Sequence, residues 1–268
     1  MENQQKQKEL VREQFTRTAE VFGEYALASR VREAERLASM VRAGKGDRVV
    51  DLACGPGTLA LRFAQHVRWV CGLDLTRAIL ERARRSAAED GLRNLDFALG
   101  DAQALPFADG SLDIAVTSYS LHHMPDAARV IGEMARVVKR GGRVGALDIF
   151  VPEDPRIAGL NHRIERVRDA SHTRALSRSE FEANFAAHGL RVIAAEVETQ
   201  PRAFDHWMLV AGYKPGDPPY VEARRLLEES IANDAANFHP RFVSSGDGAG
   251  TGELVLTNTM LFIAGERA

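Results

Sequence analysis

The stretch that decides the fold is Val49-Val-Asp-Leu-Ala-Cys-Gly-Pro-Gly-Thr58, in which an apolar run meets an acidic residue and then a glycine turn. Gly55 and Gly57 allow the backbone to approach a ligand closely, because any Cβ at these positions would collide with it. No Lys-Ser/Thr pair follows the glycines, and the third glycine of the dinucleotide fingerprint is missing. The loop therefore predicts a nucleotide-like ligand, and phosphate binding is the weaker interpretation.

On both sides of this loop, short apolar runs alternate with amphipathic segments, a pattern typical of βα units and a parallel sheet. The predicted strands cover residues 48–53, 69–73, 95–99, 112–117 and 143–149, and the predicted helices between them cover 59–65, 77–89 and 127–139. We expect the last of these helices to end at Gly141 and Gly142, because glycine tolerates the left-handed conformation of a helix C-cap.

The flanking regions follow the same principles. Helical spacing of apolar residues over 6–43 predicts two helices, with an interruption near 23–29. Ser177 and Glu180 have the spacing of a capping box at a helix start. The rest of the second half is predicted to hold strands over 190–198 and 253–264, insertions over 152–176 and 201–250, a helix over 220–237 and a Gly/Ser-rich turn over 244–252.

Composition sets limits on function. The 35 basic and 37 acidic residues give a formal net charge of −2, so no long-range field would draw the chain onto nucleic acid or an anionic membrane. The N-terminus is polar and no apolar stretch has the length of a membrane span, so we expect a cytoplasmic protein. Cys54 and Cys71, without a secretory signal, are expected to be reduced thiols.

Asp74 ends the second predicted strand, about 20 residues after the glycine loop. In doubly wound folds an acidic residue at this position holds a ribose by its hydroxyls. Asp74 is therefore our predicted ribose ligand. It also precedes a helix and would serve as a cap there, a role that is compatible with binding.

Further motifs follow the strands: Gly72-Leu-Asp74, Gly100-Asp101-Ala102, Ala104-Leu-Pro-Phe107, Leu112-Asp-Ile-Ala-Val, Leu121-His-His-Met and Val137-Val-Lys-Arg-Gly-Gly142. Together with the glycine loop, they resemble the class I methyltransferases that use S-adenosylmethionine (SAM), especially the branch of ubiquinone and menaquinone C-methyltransferases. The resemblance covers about residues 10–200. It implies an α/β, Rossmann-like fold with a seven-stranded sheet of order 3-2-1-4-5-7-6, strand seven antiparallel, and helices on both faces. Residues 1–43 would form a helical lid and 44–268 the core.

The resemblance also implies a site for SAM and its product S-adenosylhomocysteine (SAH). Asp51 and the glycine loop would lie near the methionine part, Asp74 on the ribose, and Asp101 at the adenine. The implied cofactor set comprises Tyr25, Arg30, Asp51, Ala53, Gly55, Gly57, Asp74, Leu75, Asp101, Ala102, Ser118 and His123. Phe15, Ala19 and Phe22 match the lid pattern of such families, although the same spacing fits plain core contacts of a helix. Tyr25 and Arg30, beyond this pattern, are placed at the SAM carboxylate.

Methyl transfer needs alignment of acceptor and methyl more than a dedicated catalytic residue. His122 and His123 follow the fourth strand, where a base would act on a hydroxyl acceptor, and the alternative is a structural or cofactor-shaping role. Asp169 and His172 are candidates for orienting a polar acceptor, or they belong to a solvated helix end. His206 is a further candidate. A metal at His122, His123, Asp126 and His162 lacks any tight ligand spacing, so no metal is predicted.

Our leading hypothesis is transfer of a methyl group to a small, apolar or aromatic molecule. The apolar run that contains Phe204 and Trp207 to Val210 would roof an acceptor pocket, or it simply packs a helix on the sheet. The alternatives are a SAM-binding protein with a different reaction, or a non-catalytic sensor, because a fold does not fix function. No nucleic-acid partner is expected, and both a monomer and a homodimer remain open.

Overall fold

The computed structural model describes residues 2–244 and 252–268, in which eight strands form a single sheet. The strands are β1 (Arg48–Leu52), β2 (Trp69–Asp74), β3 (Leu95–Leu99), β4 (Leu112–Ser118), β5 (Val138–Ile149), β6 (Leu190–Ala203), β7 (Arg241–Val243) and β8 (Glu253–Arg267). Their order is β3-β2-β1-β4-β5-β8-β6, with the short β7 added against β8. The first five strands are parallel, and β8 runs antiparallel to both β5 and β6. The predicted seven-stranded order is confirmed, with β7 as an additional strand.

The helices are α1 (Glu2–Arg17), α2 (Ala19–Ser29), α3 (Val31–Met40), α4 (Thr58–Ala64), α5 (Arg77–Glu89), α6 (Ala127–Val137), α7 (Pro155–Arg168), α8 (Arg178–Ala187), α9 (Phe204–Val210) and α10 (Pro218–Ser230), with a single 3-10 turn at Leu121–His123. None of the helices in the described ranges is long and apolar enough to cross a membrane. Most of the predicted turn over 244–252 lies outside the described residues.

Alternation of side chains along the central strands produces two cores, one on each face of the sheet. Val49 packs with α3 and α4 on one face, while its neighbour Val50 packs with α6 and α8 on the other. A third apolar cluster joins α7, α9 and α10 around Phe204 and Trp207, next to the N-terminal end of β8. The sheet thus carries helices on both faces, as predicted.

The N-terminal region forms three helices where we predicted two. The breaks fall at Thr18 and Arg30, and Gly23 lies inside α2 rather than in an interruption. A Cβ on Gly23 would stand 3.2 Å from Arg82 Cγ and 3.7 Å from Pro56 Cβ. The glycine therefore lets α2 approach α5 and the glycine loop closely, and this packing outweighs its low helix propensity.

The prediction that Gly141 and Gly142 cap α6 is wrong. The helix ends at Val137, and both glycines lie in β5. Val138 pairs with Leu112 and Arg143 with Ile114, so residues 139–142 bulge out opposite Asp113 alone. Gly141 has a φ of +71°, and a Cβ on Gly142 would come within 2.7 Å of the Lys139 carbonyl oxygen. The pair serves a β-bulge, which requires the same conformational freedom as a cap.

In the second half, the capping box of Ser177 and Glu180 at α8 is confirmed. The strand predicted over 190–198 extends to Ala203, so the insertion begins later than expected. The helix predicted over 220–237 ends at Ser230, because Asp234 and Asn237 adopt positive φ angles of 46° and 58°. Cys54 and Cys71 are buried and free, as expected for reduced thiols.

Candidate functional site

The first chamber lies at the carboxyl ends of β1 to β4, under α1, α2 and α3. Nine of the twelve residues implied at the cofactor line this chamber: Arg30, Ala53, Gly55, Asp74, Leu75, Asp101, Ala102, Ser118 and His123. Tyr25, Asp51 and Gly57 do not. The parallel strands bring the loops together at one edge, as doubly wound folds do.

Two of the predicted residues, Asp51 and Gly57, shape the glycine loop without lining the chamber. Asp51 is only 1% exposed, and its Oδ2 accepts the backbone N–H of Ala60 at 3.1 Å, which ties the start of α4 to β1. Burial raises the pKa of Asp51 well above its usual range. Gly57 has a φ of +90°, and a Cβ there would lie 3.2 Å from Ala83 and 3.3 Å from Phe97. Both the positive φ of the turn and the close packing therefore require glycine at this position.

Asp74 holds the loop and the next helix together. Its Oδ2 accepts the backbone N–H of Gly55 at 2.9 Å, and its Oδ1 accepts that of Thr76 at 2.8 Å. Burial raises the pKa of this carboxyl. A carboxylate offers about four lone-pair positions, so Asp74 retains capacity for two more donors. Capping and ligand binding are therefore compatible.

Two side chains of α1 that the sequence analysis missed tie this helix to neighbouring loops, one at Asp101 of the first chamber and one at Ser171. Lys8 Nζ donates to Asp101 Oδ2 at 2.6 Å, while Asp101 Oδ1 accepts the backbone N–H of Gln103 at 2.9 Å. Gln7 Nε2 donates to the Ser171 carbonyl at 2.5 Å. Polar residues on an amphipathic helix ordinarily face solvent, so nothing in the sequence distinguished this pair.

The second chamber adjoins the first and is covered by α7 and α9. The two chambers have five wall residues in common: Phe15, Phe22, Arg30, Tyr119 and His123. The Arg30 guanidinium stacks on the Tyr119 ring at 3.9 Å in this shared wall. Tyr25, His122, Asp169, His206 and Trp207 line the second chamber. Tyr25, predicted at the SAM carboxylate, is thus placed on the second chamber.

A histidine–carboxylate pair stands in the second chamber. His122 Nδ1 lies 2.5 Å from Asp148 Oδ1, and the His122 backbone N–H donates to Asp148 Oδ2 at 3.2 Å. Burial lowers the pKa of His122 well below its ordinary value and raises the pKa of Asp148 to about 7. The imidazole is therefore neutral. Asp148 was missed, although an acidic residue near the end of an apolar strand is a usable signal.

The remaining predicted catalytic residues surround this pair. Asp169 Oδ1 accepts the backbone N–H of Ser171 at 2.8 Å and its hydroxyl at 2.6 Å. Ser171 in turn contacts His123 Nδ1 at 3.1 Å. His172 does not line either chamber; it packs behind, with Nε2 at 3.2 Å from His162 Nδ1. Burial lowers the pKa of both His162 and His172.

Two of the four residues considered for a metal have other partners. Asp126 caps α6 through the backbone N–H of Arg129 at 2.9 Å, and His162 pairs with His172. Within residues 2–244 and 252–268, no group of three or more His, Cys, Asp or Glu side chains is arranged to hold a metal ion.

Known proteins resemble this chain in both sequence and structure. The family described as "Methyltransferase domain" matches residues 49–142. YcgJ of Bacillus subtilis, an uncharacterized methyltransferase, is 34% identical over 83% of this chain and 86% of its own length. The 27-O-demethylrifamycin SV methyltransferase of Amycolatopsis mediterranei is 36% identical over 62% of each chain. The crystal structure of YcgJ matches with a TM-score of 0.78 and 30% identity, over 88% of this chain and 98% of YcgJ.

Proposed function

Because this chain belongs to the class I methyltransferases that depend on SAM, we propose that it transfers a methyl group from SAM in the first chamber to a small molecule in the second. The observation that carries this proposal is that the two chambers adjoin and have five lining residues in common, the shared wall. A donor in one chamber and an acceptor in the other would meet at this boundary, and such alignment supplies much of the acceleration of a displacement reaction.

The residues of the first chamber fit SAM. Asp74 has spare acceptor capacity for a ribose diol. The glycine loop carries no Lys or Arg, which suits a ligand without phosphate. Arg30 Nε is buried and has no hydrogen-bond partner in the described part of the chain, which suits the SAM carboxylate. SAM, when bound, supplies an electrophilic methyl group on a sulfonium. The sulfur is the leaving group, and its departure requires no acid.

His122 is the base that we propose for an acceptor whose reacting atom carries a proton. With Asp148 ionised, His122 Nδ1–H donates a hydrogen bond to the carboxylate and keeps its proton, and the Nε2 lone pair is then free to take a proton from the acceptor. The ring centroids of His122 and His123 are 4.1 Å apart, and His123 belongs to the shared wall. Asp148 is a positioning residue, since it acts on the acceptor only through His122.

The acceptor we propose has an apolar or aromatic part. Phe15, Phe22, Ile149, Trp207 and Val210 line the second chamber and would cover such a surface. The relative from Amycolatopsis mediterranei, whose name states a rifamycin substrate, supports a small-molecule acceptor here.

Binding of SAH tests the first chamber. We expect calorimetry to give micromolar affinity for the wild type and at least about tenfold weaker binding for Asp74→Ala, because hydrogen bonds to a charged group contribute about 1.5–3 kcal/mol. Asp90→Ala, an exposed carboxylate at the other end of α5, is the matched control and should bind normally. A folded wild type that does not bind SAH would overturn the proposal.

Transfer itself is tested by incubating the protein with SAM deuterated in the methyl group and a small-molecule cell extract. A labelled small molecule, absent with Asp74→Ala, is the expected result. Tight SAM binding with no label in any product would instead favour the non-transferring alternatives.

A further inference from the structure

The second chamber has an excess of positive charge. Three arginines, Arg30, Arg168 and Arg202, face it together with two acidic residues, Glu165 and Asp169. Both acidic residues are already engaged: Glu165 pairs with Arg168 at 3.4 Å, and Asp169 accepts two hydrogen bonds from Ser171. Arg30 lies in the shared wall, where we have proposed the SAM carboxylate. The charge of Arg202 is the one left to explain.

Arg202 projects from β6 and lacks a counter-charge. Its Nη2 donates to the neutral Gln200 Oε1 at 3.0 Å, and its buried Nε has no partner. In residues 2–244 and 252–268 no carboxylate oxygen lies within 4.0 Å of its nitrogens. The nearby acids of the strand, Glu196 and Glu198, are paired with Arg36 of α3. Burial alone lowers the pKa of Arg202.

A second unsatisfied group lies beside it. The Tyr25 ring is 5.3 Å from Arg202 Cζ, and the Tyr25 hydroxyl is buried without a hydrogen-bond partner in the described chain. The His206 ring packs against the Tyr25 ring at a centroid distance of 5.3 Å. A buried guanidinium N–H and a buried hydroxyl both cost free energy unless a partner is supplied, and one anionic group would satisfy both.

We propose that the second chamber holds an acceptor bearing an oxyanion, a carboxylate or a phosphate, bound by the Arg202 guanidinium with the Tyr25 hydroxyl as a second donor. Guanidinium groups match the planar geometry of such anions and form charge-assisted hydrogen bonds with them. The apolar part of the acceptor would then extend from Arg202 toward the shared wall. Arg202 becomes a specificity-determining residue, which selects anionic over neutral acceptors. This inference rests on the proposed function, because it takes the second chamber as the acceptor site.

The test uses the full chain and three matched probes: benzoate, phenyl phosphate and the neutral benzamide. Calorimetry is run with and without saturating SAH on wild type, Arg202→Gln, Arg202→Lys and Tyr25→Phe. Arg191→Gln, which removes an exposed arginine from the same strand, is the control. We expect wild type and Arg191→Gln to bind at least one anion, Arg202→Gln to bind it at least tenfold more weakly, and Arg202→Lys to recover part of the affinity. Wild type should bind benzamide no more tightly than Arg202→Gln binds the anions.

The two anions separate a carboxylate acceptor from a phosphorylated one. Equal binding of anions by wild type and Arg202→Gln, or no anion binding by a wild type that binds SAH, would overturn the oxyanion site and leave the proposed function standing. A wild type that is folded but does not bind SAH would overturn the proposed function instead. Tyr25→Phe removes one oxygen and nothing else, so it keeps the test decisive if the Arg202 variants fold poorly. Unchanged anion affinity in Tyr25→Phe would overturn the proposed pair of donors, and with it the site as proposed.

Discussion

Lys8 donates a hydrogen bond to Asp101 across the mouth of the first chamber, and this contact joins α1 to the loop after β3. Asp101 lines the first chamber and is the residue predicted at the adenine of SAM, so α1 is tied directly to the proposed cofactor site. The side chains of Lys8 and Asp101 remain 22% and 29% exposed, respectively, so we attribute only about 0.2–1 kcal/mol to this ion pair.

Lys8→Met is expected to loosen α1 without unfolding the core. The amide hydrogens of α1 should exchange up to about fivefold faster, since local opening follows the lost free energy. Hydrogen exchange followed by mass spectrometry measures this directly. Lys6→Met removes an exposed lysine of the same helix and should leave the exchange unchanged. Equal exchange rates in the two variants would show that the ion pair does not hold α1 in place.

Asp148→Asn is expected to lower kcat by about 10²-fold or more, with SAH affinity unchanged. An asparagine can donate to His122 Nδ1 and so leave the proton on Nε2, which removes the base. In the wild type, activity should rise as pH increases through about 7, because Asp148 then ionises and accepts a hydrogen bond from Nδ1–H, which leaves the Nε2 lone pair free. Below that pH the protonated Asp148 donates a hydrogen bond to His122 Nδ1, so the imidazole proton is on Nε2.

Long-range proton–nitrogen NMR of the imidazole at high pH should therefore find Nδ1 protonated in wild type and Nε2 protonated in Asp148→Asn. His66→Gln, which changes an exposed histidine, controls for general effects on kcat. An enzyme that retains full kcat in Asp148→Asn would act by alignment alone.

His162 should make the fold sensitive to acid. Burial lowers its pKa to about 4 in the folded state, whereas an unfolded histidine has a pKa of about 6.5. The unfolded state therefore binds the extra proton between these values, and stability present above pH 6.5 is lost as pH falls toward 4. The contribution amounts to about 3 kcal/mol.

Denaturant unfolding of wild type and His162→Asn at several pH values measures this contribution. The stability advantage of wild type over the variant should shrink on acidification. Ile164→Val, a buried and non-titrating change on the same helix, should give a difference that is independent of pH. A constant difference for His162→Asn would contradict the assignment.

Gly142→Ala should destabilise the fold by about 1–3 kcal/mol, as overpacking does. The new Cβ would meet two backbone carbonyl oxygens, of Lys139 and Asp113, at 2.7 and 2.8 Å. Gly46→Ala is the control, because a Cβ there meets nothing within 4 Å, and its effect should stay within about 0.5 kcal/mol. Thermal unfolding separates the two, and equal melting temperatures would contradict this account of the bulge.

Local patterns predicted what depends on local structure. The alternation of apolar runs gave β1 to β5, and Ser177 and Glu180 gave the start of α8, because caps and periodicity involve residues close in sequence. Gly141 and Gly142 show the limit. A β-bulge and a helix C-cap both require glycine, so only the pairing of β4 with β5 decides between them.

The site divides in the same way. Asp74 was predictable because strand, loop and helix follow one another along the chain. Asp148 and Lys8 lie far in sequence from the groups they contact, and Arg202 reaches the second chamber from a distant strand, so local patterns do not reveal them. Tyr25 was assigned to one chamber and lines the other, because adjacent residues of a helix point about 100° apart and it is Ala26 that lines the first chamber.

Phe15 of α1 and Phe22 of α2 belong to the wall common to both chambers, and Phe15 also packs edge-on against His123 at 5.2 Å. In the function proposed above, any movement of α1 and α2 that exchanges SAH for SAM would therefore uncover the acceptor as well. Repeated methylation of one molecule would be distributive rather than processive. With an acceptor that has two reactive positions, the singly methylated product should accumulate and be released before any doubly methylated product forms.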